Sequence, residues 1–98
     1  MRTANALVLA ALFIASTRGL QAQASLADSA KLLSEQAIAS EREGTAASRD
    51  SALVLWTRAA ELFRRVQDIG GEAEALHNIG RLAVSKDTAL AYDRRALV

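Results

Sequence analysis

His77 is the only histidine in the chain, and there is no cysteine. One imidazole cannot build a metal site that needs paired histidines, and without thiols there are no disulfides, zinc–thiolate sites or cysteine nucleophiles. A serine nucleophile needs a turn that presents it, and no G-x-S-x-G elbow occurs. His77 therefore reads as a solvated helix-face residue rather than a general base. Two arginine pairs, Arg64-Arg65 and Arg94-Arg95, come shortly after the aromatics Phe63 and Tyr92. They would suit an acidic partner, but cations near helix ends also complement the helix dipole, and that reading is the simpler. Trp56, Ala59, Ala60 and Phe63 stand at i, i+3, i+4, i+7, which is the stripe of a helix that buries one face rather than a ligand platform. These residues predict no catalytic group, no metal site and no cofactor, leaving recognition as the chemistry on offer.

The elements that would position them begin after an export-like start. Met1–Asn5 is short and polar with one cation, Arg2; Ala6–Ala15 is an unbroken apolar run; Ala22-Gln23-Ala24 is a small-x-small site. That order predicts a secretory signal peptide over residues 1–24, with cleavage after Ala24. A membrane-spanning helix needs roughly 20 apolar residues, and this run is broken by Ser16, Thr17 and Arg18, so an uncleaved anchor is the weaker alternative. The expected destination is the periplasm or the medium, with no membrane contact after cleavage. Arg2 and Arg18 leave with the signal, which turns 12 basic against 11 acidic residues into 10 against 11. A near-neutral mature chain lacks the clustered basic footprint of a nucleic-acid binder.

The mature part, residues 25–98, contains no proline and is rich in alanine, which predicts an all-α domain. A first helix is expected over Leu26–Arg42 with Leu26, Ala30, Leu33 and Ala37 inward, stopped by Gly44. Glu43–Arg49 reads as a loop. A second helix follows over Asp50–Gln67, capped by Ser48 or Asp50. Gly70-Gly71 is the expected turn into a third helix from Glu72, with Leu76, Ile79, Gly80 and Ala83 inward. Gly80 in mid-helix costs about 1 kcal/mol relative to alanine, so a close backbone approach is expected there. Ser85–Thr88 reads as a short connection, and a fourth helix runs from Thr88 to the end with Ala89, Tyr92 and Ala96 on one face.

Two segments superpose: Ala52-Leu53 with Trp56 and Ala59, and Ala89-Leu90 with Tyr92 and Ala96, offset by 37 residues. The stretches GEAEALHNIG (Gly71–Gly80) and ALAYDRRAL (Ala89–Leu97) resemble the tetratricopeptide (TPR) repeat family, whose period is about 34 residues. The closest likeness is to the exported bacterial subtype that precedes CHAT protease domains. It extends over residues 50–97 and is weak over residues 26–49. The turn between helices A and B is about three residues shorter than the family's. The resemblance implies antiparallel helix pairs stacked as a short solenoid of about four helices, or two repeats, incomplete at the C-terminus. Cysteine-dependent CHAT chemistry is closed to a chain without cysteine.

The resemblance also implies a peptide-binding groove lined by helix A, at the positions of Glu74, His77, Arg81 and Val84. Arg81 there offers a bidentate grip on a carboxylate, His77 a hydrogen bond beside it, while Asn78 is structural. The expected function is a non-catalytic scaffold that contacts a protein or peptide partner. The alternatives are a small self-associating helical protein, because repeats of this kind need about three units to cover their faces, or the N-terminal fragment of a larger TPR protein.

Overall fold

The computed structural model describes the backbone of residues 2–96 and the side chains of residues 17–87. Three helices follow one another, α1 (Arg2–Arg42), α2 (Ala46–Arg65) and α3 (Ile69–Ala96). The all-α expectation holds, and no strand occurs among the described residues. Connections this short make consecutive helices antiparallel neighbours. Accordingly α2 lies between the other two and packs on both.

The first connection is tighter than expected. Gly44 adopts a left-handed φ of +71°, a conformation glycine reaches without steric cost. Thr45 then caps α2 from an extended backbone. Its Oγ1 accepts the Ser48 N–H, and Ser48 Oγ accepts the Thr45 N–H, each at 2.9 Å. This reciprocal box satisfies donors that the helix start leaves unpaired. Ser48 is thus the third helical residue rather than the cap, and α2 begins four residues before the expected Asp50. Ala46 and Ala47, assigned to a loop in the sequence, are good helix formers once a cap precedes them.

The second connection is a Schellman motif. The Asp68 N–H donates to Phe63 O at 2.9 Å and the Gln67 N–H to Arg64 O at 3.1 Å, with Gln67 in the left-handed region at φ +60°. This position usually belongs to glycine. Asp68 then caps α3, its Oδ1 accepting the Gly71 N–H at 2.9 Å. Gly70 and Gly71 therefore sit in the first turn of α3 and do not form the turn between helices. A Cβ on Gly71 would lie 2.5 Å from Phe63 Cδ1, closer than real contacts allow, so it is this glycine that admits a close approach. Gly80 does not: a Cβ there meets nothing within 4 Å, contrary to expectation.

The core runs along α2. Ala52, Trp56, Ala59, Ala60 and Phe63 are buried, as their spacing predicts, with Ala30 and Ala37 on the α1 side and Ala75 and Leu82 on the α3 side. On α1 the expected stripe holds, with Leu26 and Leu33 partly buried. Fully buried alanines on facing helices let the backbones approach, and Trp56 and Phe63 fill the space between them. On α3 the buried face overlaps the expected one only in part: Ile79 packs against the core and Ala83 is half-buried, but Gly80 is exposed. Ala75 and Leu82 point inward, whereas Leu76 is 54% exposed. The cause is the first turn: the Asp68 cap and the Gly71–Phe63 contact fix the rotation of the helix, and positions 75 and 82 follow Gly71 on the same side at helical spacing.

The expected break at Ser85–Thr88 is absent, so the third and fourth predicted helices are one continuous α3. Those four residues include neither glycine nor proline, and their propensity cost is only a few tenths of a kcal/mol each. Lys86 Nζ also pairs with Asp50 Oδ1 at 3.1 Å, holding this turn against the start of α2. Ala89, Tyr92 and Ala96 lie outside the described side chains. At the other end α1 continues unbroken from Arg2; residues 17–25 are exposed, and burial begins at Leu26. The signal-peptide assignment falls on residues 1–24, whose side chains up to residue 16 lie outside those described. Among the described residues no helix is long and apolar enough to cross a membrane.

Candidate functional site

Between α1 and α3 a groove of about 390 Å³ opens over Trp56. Ile38, Glu41 and Arg42 line it from the last turns of α1, and Glu74, Asn78 and Arg81 from α3. The α3 residues stand at i, i+4, i+7, so one helical face supplies them. Trp56 is buried to 1% exposure and closes the bottom.

Glu41 organises the groove. Its Oε2 accepts the Trp56 Nε1–H at 2.9 Å, and its Oε1 accepts from Arg81 Nη2. A carboxylate in the last turn of a helix is poorly placed against the dipole, so these two donors are what hold it there. Burial pushes the Glu41 carboxyl upward, but the hydrogen bonds from Arg81 and Trp56 and the Arg81 charge outweigh it and hold the group below the usual carboxylate range. Arg81 is itself oriented: the same Nη2 donates to Asn78 Oδ1 at 3.1 Å, and Asn78 Nδ2 donates to the Glu74 carbonyl at 3.1 Å. The chain Trp56–Glu41–Arg81–Asn78 therefore crosses all three helices.

Of the sequence-predicted groove residues, Glu74 and Arg81 line this groove together. His77 is exposed on α3 outside it, and Val84 is 66% exposed one turn beyond Arg81. Arg81 does not present an idle guanidinium, because an internal carboxylate already engages it. Trp56 and Phe63 are core residues, as their spacing indicates. Arg65 pairs with Glu61 at 3.6 Å along the exposed face of α2. Arg94 and Arg95 lie outside the described side chains.

Sequence reasoning missed Glu41. Nothing in the charged run around it distinguishes one glutamate from the next, and its cationic partner is 40 positions away. The only signal was indirect: a buried tryptophan needs an acceptor for its N–H, and either flanking helix offers carboxylates.

A second depression, of about 210 Å³, lies on the other side of the Glu41–Arg81 pair, where Thr45, Ser48 and Arg49 at the start of α2 face Ser85 of α3. Among the described residues no group of three His, Cys, Asp or Glu side chains could hold a metal ion. No family model matches the chain, and no curated protein or solved structure is similar to it.

Proposed function

We propose that the chain is an exported, non-catalytic interaction module of the tetratricopeptide type that takes a peptide segment of a partner protein in the groove between α1 and α3. The observation that carries this reading is the arrangement of that groove. Two outer helices flank a shared middle helix, and the groove between them joins an exposed apolar residue, Ile38, to polar groups of both signs, Glu74 and Arg81. Extended peptides are held by such mixtures of a few oriented polar groups and an apolar floor. In the terms of the family resemblance α2 stands for helix B and the first half of α3 for the next helix A, while the residues expected as its helix B, 89–96, continue α3 instead of turning back. In this reading residues 1–24 are a cleaved export signal.

The test is a selection of displayed peptides against the mature chain, residues 25–98. Peptides should be retained whose binding is lost in Glu74→Ala and Arg81→Ala, with far-UV circular dichroism unchanged. Peptides that bind these variants as well as the parent would exclude the groove.

A second reading is favoured by one observation. Ile69, Leu76 and Val84 of α3 are 81%, 54% and 66% exposed, and an apolar surface of this kind is a candidate for association. Here the chain is a self-associating structural protein. Sedimentation over a wide concentration range separates the two: a monomer throughout removes the second reading.

A further inference from the structure

We propose that the Glu41–Arg81 pair is an acid-sensitive latch that sets the opening between α1 and α3 over Trp56. This goes beyond the peptide-binding reading and does not depend on it.

The geometry is that of a closure. Both α1 and α3 are packed on α2, and among the described residues the ion pair between the two outer helices is Glu41–Arg81. Its two oxygens are committed in different directions, one to the buried indole of α2 and one to the guanidinium of α3. When the carboxylate is neutralised, the attraction across the groove is lost. The charged groups around it then favour separation. Arg42 lines the groove from α1, Arg49 lies beside the pair on α2, and Glu74 and Arg81 face it from α3. Without the Glu41 charge, three cations surround the opening against one anion. His77 stands outside both depressions and takes no part.

The latch is also weak enough to release without unfolding the protein. The Arg81 side chain is 48% exposed, and partly exposed pairs contribute far less than a buried core. Ala37, Ala59, Phe63 and Ala75 are buried by helix packing that does not pass through Glu41. Release therefore widens the groove between the end of α1 and α3 and brings water to the Trp56 indole, while buried Leu82 and the Lys86–Asp50 pair keep α3 on α2.

Trp56 is the only tryptophan, so its fluorescence reads the opening in the full chain. On titration from neutral to acidic pH, acrylamide quenching of Trp56 should rise several-fold in one transition while far-UV ellipticity stays level. Glu41→Gln should show the raised quenching already at neutral pH and lack the acid transition. Arg81→Met should match it, and with the parent titration it decides the matter if Glu41→Gln does not fold. Quenching that changes only together with ellipticity would overturn the latch, as would quenching in both folded variants equal to the parent's.

Discussion

The Trp56 indole N–H and the Glu41 carboxylate are 15 positions apart in the chain and 2.9 Å apart in space. That bond satisfies the polar edge of a side chain otherwise sunk among alanines. It also fixes the carboxylate at the height where Arg81 meets it from α3. Replacing Trp56 by Phe should cost about 1–3 kcal/mol, the penalty for removing a partner from a charged, part-buried acceptor together with some lost packing. Trp56→Ala should cost about 3–5 kcal/mol. Urea denaturation followed by circular dichroism measures both, and a Phe variant as stable as the parent would show that the bond is incidental.

Stability should fall in acid through Glu41. Its carboxyl is held below the ordinary value in the folded chain, so the unfolded state binds the proton first. The contribution is fully present above the ordinary carboxylate pKa of about 4.3 and is lost as pH drops through the lower folded value. Melting temperatures recorded from neutral pH down to about pH 3 should decline more steeply in the parent than in Glu41→Gln, because only the parent carries this group. Parallel curves would assign the acid sensitivity to other carboxylates.

Gly71 and Gly80, two of the three glycines of α3, should respond in opposite directions. Gly80 has open space around it, so Gly80→Ala should stabilise the chain by about 1 kcal/mol through helix propensity alone. Gly71→Ala gains the same propensity but drives a methyl group into the Phe63 ring, and a net loss of about 1–3 kcal/mol is expected from overpacking. Thermal melts of the pair test this, and a stabilised Gly71→Ala would mean that α3 can shift without cost.

Gln67 is a left-handed residue at the C-terminus of α2. Glycine at this position removes a strain of about 1–2 kcal/mol and returns part of it as chain entropy in the unfolded state. Gln67→Gly should therefore raise the denaturation midpoint modestly, and a lowered midpoint would mean that the Gln67 side chain makes a contribution of its own.

Much of this architecture was legible in residue spacing. Trp56, Ala59, Ala60 and Phe63 identified the inward face of α2, and Ala30 and Ala37 that of α1, because a single strong stripe leaves a helix one way to bury itself. The helix boundaries were less legible, since Thr45 and Asp68 act as caps through side-chain geometry that competes closely with Ser48, Asp50 and the Gly70-Gly71 pair. The face of α3 is legible only in part, for a related reason. Ile79 packs inward as its spacing predicts, but Leu76 and Gly80 make as good an apolar stripe as Gly71, Ala75 and Leu82, and the Phe63 contact at Gly71 chooses between them. The connection expected at Ser85–Thr88 is absent, because polar residues with adequate helix propensity continue a helix that has already been nucleated. Glu74 and Arg81 could be placed on one face from their spacing. Glu41 could not be found, because a tie between helices 40 positions apart leaves no local pattern.

The unbroken α3 gives the ion pair a fixed station. Its 28 residues make a rod about 42 Å long, held on α2 by the Asp68 cap, by Gly71 under Phe63, by buried Ala75 and Leu82 and by Lys86 opposite Asp50. Arg81 stands immediately before Leu82, so the side of the rod that carries its guanidinium is set by the same holds. A register step of one residue would turn it through about 100° and take it out of reach of Glu41. An insertion or deletion between Gly71 and Arg81 would thus disconnect α1 from α3 without touching either partner.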